Sequence, residues 1–224
     1  PGSHQDSIHW LLPSDTTTQV TSSKMRVFLV AFAAILLAAG CSAIIYDRPC
    51  RGVTMVRDFD LRNYAKKWFE VRRYETSPQW NGDCSTFDYQ LDNEEEPTGL
   101  LVTHQFAFRN NGTIIQRQGS LARRMDHHNH PPNVGHLMMV FEDAPESEIN
   151  YCLVASDYEN YAVVWSCENL PDGRSNEDAW VLSKETTLNS DFDDVVQATI
   201  EAEMDPTVFV PTYQGSSCKV IGAH

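Results

Sequence analysis

Eight short segments with the composition of β-strands follow one another along the chain, and they constrain the fold more than any other feature. Each is rich in Val, Ile, Tyr, Phe, Trp or Thr, and turn sequences such as Asn-Gly at 111–112 and Pro-Asp-Gly at 171–173 separate them. Such strands pair antiparallel with their sequence neighbours, as in an up-and-down barrel or a sandwich. The segments are 66–75, 85–91, 99–108, 113–124, 136–141, 150–156, 161–167 and 178–185.

One helical segment after the last strand favours the barrel over the sandwich. Ser190 is predicted to cap the helix, acidic residues occupy its first turn, and one stripe holds Phe192, Val195, Val196, Thr199 and Ile200. A single late helix is normal beside a barrel and uncommon in a sandwich. We therefore predict an all-β fold, namely an eight-stranded antiparallel up-and-down β-barrel with one C-terminal α-helix packed outside.

The N-terminal part of the chain is predicted to lie outside this fold. Residues 25–43 join one Arg, a 13-residue apolar run and small residues, which is the pattern of a signal peptide and too short for a membrane span. A bacterial lipoprotein signal ending at Cys41 is the alternative for this segment. Residues 1–24 are polar and aperiodic, so we interpret them as disordered vector-derived or upstream residues. The folded domain is predicted to cover 44–224, in a secreted, extracellular protein without a transmembrane segment.

Charge and cysteine usage agree with an extracellular protein that does not bind nucleic acid. The formal net charge is -14, so nucleic acid would be repelled and anionic membranes would offer no attraction. Asn111 begins an Asn-Gly-Thr sequon and is a predicted glycosylation site. Without the signal segment, five cysteines remain, which is enough for two disulfides and one further thiol: Cys50, Cys84, Cys152, Cys167 and Cys218.

Three segments, in the right order, resemble the signature regions of the lipocalin family. They are FDLRNYAKKWFEVRRYE at 59–75, ASDYENYAVVWSC at 155–167 and AWVLSKE at 179–185. The resemblance covers about residues 48 to 218 and is closest to the branch of apolipoprotein D, insect bilin-binding protein and crustacyanin. It departs from the family pattern at Lys66, where the family has Gly, and at Lys184, where the family has Arg.

The resemblance implies which residues brace the closed end of the barrel. Trp68 would lie at the start of the first strand, and Asp157 with Tyr158 would form a turn in which the carboxylate accepts from backbone N–H groups. We expect the Lys184 ammonium to lie over the Trp68 indole, although a point charge defines this contact less well than a guanidinium. The alternative is that the lysines are ordinary exposed residues.

The resemblance also implies the disulfides Cys50–Cys167 and Cys84–Cys218, which leaves Cys152 as the thiol outside both. The simplest interpretation of Cys152 is a buried, inert residue on its strand. The alternatives are a thiol that attaches an electrophilic ligand such as a tetrapyrrole, a thiol that catalyses an isomerisation in the pocket, and a bridge between two chains. No cationic residue stands beside it in sequence to activate it.

An eight-stranded barrel encloses room for one small ligand, so the inward-facing residues would line an apolar cup with few polar groups. The resemblance places Tyr89, Trp180 and Leu182 inward, and parity adds Phe87. On the third strand it favours the Gln105 parity over that of His104. On the segment 136–141 the inward candidates are Met138 and Val140. Trp80, in the first loop, would lie at the mouth of the barrel. The predicted ligand-binding set is therefore Trp80, Phe87, Tyr89, Gln105, Ala107, Met138, Val140, Trp180 and Leu182.

The resemblance implies a carrier of a small hydrophobic molecule rather than an enzyme. Its branch carries bilins, carotenoids, sterols, retinoids and fatty acids, and aromatic walls favour a flat conjugated guest. No cofactor is required, and biliverdin or a carotenoid is the expected bound ligand. The alternatives are a Cys152-dependent ligand-modifying enzyme and a self-associating subunit of a pigment complex. A second copy of the chain or a receptor is the alternative partner.

Four histidines within ten residues resemble a metal-binding tract by composition only. They are His127, His128, His130 and His136, and their spacing lacks the regular pattern of a sharp coordination site. We interpret this stretch as a solvated loop at the closed end and predict no metal site. Opportunistic zinc or copper binding is the alternative.

Overall fold

A computed structural model describes residues 44–75, 82–123 and 133–220. The predicted signal segment and residues 1–24 lie outside these ranges, as do Trp80 and His127, His128 and His130. No helix within the ranges is long and apolar enough to cross a membrane.

Eight antiparallel strands form a closed barrel, which confirms the predicted fold. Each strand pairs with its sequence neighbour, and pairing of the last with the first closes the cylinder. The strands are β2 (Lys67–Tyr74), β3 (Gly82–Leu91), β4 (Gly99–Phe108), β5 (Ile114–Arg123), β6 (His136–Phe141), β7 (Glu148–Ser156), β8 (Tyr161–Asn169) and β9 (Ser175–Ser183).

Two short strands fasten the flanking segments to the barrel wall. Strand β1 (Ile44–Tyr46) pairs with the start of β9, and β10 (Phe209–Pro211) pairs with the end of β2. Both predicted disulfides are present: Cys50–Cys167 spans 117 residues of sequence and Cys84–Cys218 spans 134. Closing loops of this length removes conformational entropy from the unfolded chain, worth about 4–5 kcal/mol per bridge in a chain-entropy treatment.

Alternation along the strands divides the apolar residues into an inner and an outer core. On β9, Trp180 and Leu182 belong to the inner core, whereas Ala179 and Val181 belong to the outer one. The outer core packs under the C-terminal helix, from which it receives Val196 and others. The barrel wall is therefore buried on both faces on the side that the helix covers, and this explains why several strands carry bulk at both parities.

The helix α2 (Ser190–Glu203) begins one residue earlier than predicted. Its N-cap is Asn189, not Ser190, because Asn189 is extended (φ -67°, ψ 143°) and its side chain accepts from Asp191 N. Val196 and Ile200 are buried, but Val195 is 48% exposed, so the apolar stripe is narrower than the sequence suggested. A one-turn helix, α1 (Leu61–Tyr64), precedes β2, and 3₁₀ turns cover Pro206–Val208 and Ser216–Val220.

Candidate functional site

Trp68 is fully buried at the closed end of the barrel, directly beneath a lysine. The Lys184 ammonium lies 5.3 Å from the Trp68 ring centroid and also donates to the Lys67 carbonyl. The Trp68 indole N–H donates to the Tyr64 carbonyl at 3.2 Å. Lys66 donates to the Tyr158 carbonyl and forms an ion pair with Glu159. The two lysines that depart from the family pattern thus both have partners.

The Asp157 turn closes the same end through a compact set of hydrogen bonds. One carboxylate oxygen of Asp157 accepts from the backbone N–H groups of Glu159, Asn160 and Tyr161 at 3.0, 2.7 and 3.1 Å. Burial raises the pKa of Asp157, but these bonds and the Asn160 amide outweigh it, so the pKa is lowered. Tyr158, at φ +65°, accepts from Asp60 N through its hydroxyl. These hydrogen bonds brace this end of the barrel.

Three buried tyrosine hydroxyls form a chain at the floor of the inner core. Tyr151 lies in the middle, with its oxygen 2.6 Å from that of Tyr64 and 3.1 Å from that of Tyr89. Burial is the main reason that the pKa of each phenol lies above its ordinary value. The three phenols are therefore neutral, and they form a polar but uncharged layer in the inner core.

Aromatic rings continue up the inner face above the tyrosines. Phe87 stacks on the imidazole of His104 with ring centroids 4.1 Å apart, and on Tyr89 at 5.9 Å. Phe106 and Phe141 flank His104 at 5.2 and 6.0 Å. Burial, then Arg117 and Arg73 nearby, lower the pKa of His104 to about 3, so its ring is neutral at physiological pH.

The inward parity of strand β4 is opposite to the one predicted. Gln105 and Ala107 are only partly buried and face outward, where the Gln105 amide bonds Gln116. His104 is 1% exposed and Phe106 6% exposed on the inner face, because a barrel interior buries rings more favourably than an amide and a methyl group. The run of bulky residues with the parity of His104 was the available sequence signal.

Strand β6 is also turned the other way. Met138 and Val140 are only partly buried, whereas the inner core contains Leu137, Met139 and Phe141. Register decides this orientation, because Met139 lies opposite Leu121, a fully buried inner residue of β5. All five residues from Leu137 to Phe141 are apolar, so alternation could not choose between the two faces.

The inner face also holds a buried ionic network that sequence reasoning missed. The Arg73 guanidinium donates to Glu70 at 2.7 Å and to the Gly82 carbonyl at 2.6 Å. Ser85 donates to Glu70 at 3.1 Å and its oxygen lies 3.1 Å from His104 Nε2. Thr212, from the segment after β10, donates to Glu70 at 2.7 Å. The interior is thus less apolar than the predicted cup.

A second guanidinium lies beside the aromatic rings higher on the inner face. Arg117 stands opposite His104 on the neighbouring strand, 3.9 Å from the Phe141 ring centroid. It also forms a two-pronged ion pair with Asp143 at 2.8 Å, which lowers the pKa of that carboxyl. Arg117 therefore combines a stacking surface with a charge that is already matched.

Strand β9 contributes Asp178 and Trp180 to the same inner face. Trp180 lies opposite Arg73 across the β2–β9 seam and is 8% exposed. Its indole N–H is buried and has no hydrogen-bond partner within the described ranges. Asp178 shares its parity; burial, reinforced by Glu70 and opposed by Arg73, raises its pKa well above the ordinary value. Asp178, Trp180 and Arg73 thus lie on the inner face along the β2–β9 seam.

The family model of the lipocalin / cytosolic fatty-acid binding protein family matches residues 67–216. The chain belongs to this family. Insecticyanin-B of Manduca sexta is 27% identical over 180 residues, covering 79% of this chain and 83% of that protein. The bilin-binding protein of Pieris brassicae is 23% identical, covering 72% and 81%. The solved structure of insecticyanin from the tobacco hornworm superposes with a TM-score of 0.67 at 25% identity, covering 79% and 92%.

Cys152 of this lipocalin does not face the barrel interior. It belongs to the outer core with Trp165 and Cys167, is 3% exposed and takes part in neither disulfide. Its strand neighbours Tyr151 and Leu153 face inward instead. A thiol on the outer wall cannot reach a molecule held inside the barrel.

The remaining predicted features are the glycosylation sequon at Asn111 and the histidine tract that ends at His136. Asn111 is exposed in the β4–β5 hairpin, where its side chain accepts from Thr113 N, and its glycosylation stays a prediction. Nε2 of His136 lies 2.6 Å from Asn150 Oδ1, within a strand and not in a loop. In the part of the chain that the structure describes, no group of three or more His, Cys, Asp or Glu residues could hold a metal ion.

Proposed function

We propose that this lipocalin is a secreted carrier that binds one small hydrophobic ligand non-covalently inside its barrel. The ligand is a flat conjugated pigment of the bilin or carotenoid type. The observation that carries the proposal is the aromatic inner face, where Phe87, His104, Phe106, Phe141 and Trp180 surround the upper interior. Rings on several strands can stack on a planar guest or meet its edge, each contact adding about 0.5–1.5 kcal/mol beyond area burial.

Two further observations support the proposal. One of the relatives is, by its name, a bilin-binding protein, which fits a conjugated tetrapyrrole as the guest. Two disulfides that tie flanking segments to the wall fit an oxidising, extracellular setting.

The orientation of Cys152 argues against the enzyme hypothesis. A catalytic or ligand-attaching thiol must touch the ligand, and Cys152 packs in the outer core instead. The alternative of a self-associating pigment subunit, and that of a receptor as partner, stay predictions that sedimentation of the purified protein would test.

The experiment is secretory expression followed by an absorbance spectrum and mass spectrometry of the extracted small molecule. We expect a visible band that co-elutes with the protein. Phe106→Ala should weaken binding of biliverdin about tenfold, because it removes an inward ring. Leu101→Ala, on the same strand but 52% exposed, is the matched control and should leave binding unchanged. Equal effects of the two variants, or no binding of any hydrophobic probe, would contradict carriage inside the barrel.

A further inference from the structure

We infer that the outer wall of strands β4, β5 and β6 is a docking surface for a second copy of this chain. The outward positions are the odd-numbered residues of β4 and the even-numbered residues of β5 and β6, because the alternate residues Leu100, Leu121 and Met139 lie in the inner core. Together these outward positions form the neutral face. The inference concerns the outside of the barrel and does not depend on which ligand the inside holds.

The neutral face has no Asp, Glu, Lys or Arg at any position of the described strands β4, β5 and β6. The two arginines of β5, Arg117 and Arg123, have the opposite parity. At one corner of the face, His136 is hydrogen-bonded to Asn150. Outward carboxylates begin on the neighbouring strands β3 and β7. The outer wall is therefore uncharged across three adjacent strands.

This lack of charge favours a second copy as the partner. Two copies of a chain with a formal net charge of -14 repel each other, so contact is least unfavourable where neither copy brings a charge. A two-fold contact presents the same patch from both sides. A patch of one sign would then meet its own sign, whereas a neutral patch is complementary to itself.

The polar side chains in the middle of the neutral face already satisfy one another. The Thr103 hydroxyl donates to Gln118 Oε1 at 2.9 Å, and the Gln105 amide donates to Gln116 Oε1. Covering a polar group costs less free energy when its hydrogen bond is retained. A second copy can therefore exclude water from this part of the face without leaving these bonds unmade.

Two exposed apolar side chains lie towards opposite ends of the neutral face. Leu101 is 52% exposed and Ile114 is 48% exposed. Leu101 pairs with Ser120, which is six residues from Ile114, so the two lie about 20 Å apart along the strands. A two-fold axis in the plane of contact, midway between them and across the strands, brings Leu101 of one copy beside Ile114 of the other. The apolar ends of the face then cover each other.

The size of the neutral face indicates a reversible dimer rather than a permanent one. Strands about 4.8 Å apart with a rise of about 3.3 Å per residue give a face of roughly 450 Å² in projection. Two copies would bury roughly 900–1,000 Å² together, which is at the low end for a specific interface. We therefore expect a dissociation constant in the micromolar range.

The test is sedimentation velocity of the secreted protein from about 1 to about 200 μM, after enzymatic removal of any carbohydrate on Asn111. We expect a monomer–dimer equilibrium. Gln118→Glu still accepts from Thr103 but places like charges across the contact, so it should weaken the dimer about tenfold or more. Gln197→Glu makes the same change on the exposed side of α2 and is the matched control, which should associate as the wild type does.

Salt dependence provides a second measurement. From about 0.01 M to about 0.1 M salt the screening length falls from about 30 Å to about 10 Å, which reduces the repulsion between the two net charges. The dimer should therefore tighten as salt is added, whereas a contact made by ion pairs would weaken. Urea unfolding curves that coincide for Gln118→Glu and the wild type would show that the variant is folded.

Three results would overturn the inference: a monomer at every concentration, equal association of Gln118→Glu and Gln197→Glu, or a dimer that weakens as salt is added. Gln118 lies outside the barrel, so Gln118→Glu should bind biliverdin as the wild type does. Loss of the dimer with retained biliverdin binding would thus leave the carrier function standing, and a dimer that binds no hydrophobic probe would leave this inference standing without it.

Discussion

The buried imidazole of His104 should make the stability of the protein depend on pH in a defined direction. In the folded state its pKa is about 3, and in the unfolded chain it returns to about 6.5. Between these values the unfolded state binds more protons, so stability rises with pH and is lost as the pH falls from 6.5 towards 3. The effect is internal to one side chain that is 1% exposed, so solvent screens it little.

The magnitude follows from the difference between the two pKa values. Each pH unit below 6.5 costs about 1.4 kcal/mol, so acidification from pH 7 to pH 5 should remove about 2 kcal/mol through His104. His104→Phe keeps a ring against Phe87 and cannot take up a proton. Urea unfolding at pH 7 and pH 5, with the disulfides intact, should show the wild type losing about 2 kcal/mol more than this variant.

A matched control separates titration from simple repacking of the inner face. Tyr151→Phe alters another buried inward side chain, but its phenol has a raised pKa and does not titrate in this interval. Its pH dependence should therefore run parallel to that of the wild type. The reasoning is refuted if the wild type and His104→Phe lose equal stability between pH 7 and pH 5.

Two further predictions concern the outer wall and the closed end. Iodoacetamide should label Cys152 only after unfolding, since the thiol is 3% exposed in the native protein. Biliverdin should not change the rate of labelling under native conditions. Protection of Cys152 by biliverdin would contradict the outward orientation of this residue. Lys184→Met should lower the free energy of unfolding by about 1 kcal/mol because it removes the ammonium over Trp68. Lys184→Arg keeps a cation at this position and should keep the stability of the wild type. Indistinguishable urea unfolding curves for the two variants would argue against this contact.

The strands could be predicted from sequence because their composition and the turns between them are local properties. The segment 99–108 coincides with β4, and 136–141 with β6. The two disulfides came from the resemblance, since five cysteines alone leave several pairings open. The predictions of which residues of β4 and β6 face inward were wrong for different reasons. On β4 the resemblance favours the parity of Gln105, whereas the aromatic side chains have the parity of His104 and are the buried ones. On β6 the residues of both parities from Leu137 to Phe141 are apolar.

The ionic network could not be read from alternation, because a β-bulge reverses parity within β2. Glu70 and Arg73 are three residues apart and would face opposite sides of a regular strand. The pairing of β2 with β9 shifts between Glu70 and Arg72, so Glu70 lies opposite the inward Leu182 and Arg73 lies opposite the inward Trp180. A second irregularity lies in β3 between Asp83 and Thr86, next to Ser85. Bulges depend on pairing between distant segments, which a single sequence does not display.

The segment that follows the helix has a consequence for how a nascent chain matures. Thr212 donates to the carboxylate of Glu70, and Gln214 donates to the backbone carbonyls of Glu70 and Ser85. The buried acid therefore receives one of its hydrogen bonds from a residue 142 positions later in the chain. The cation that pairs with Glu70 is its near neighbour in sequence, Arg73. The hydrogen bonds around Glu70 can therefore be completed only after almost the whole domain has been synthesised.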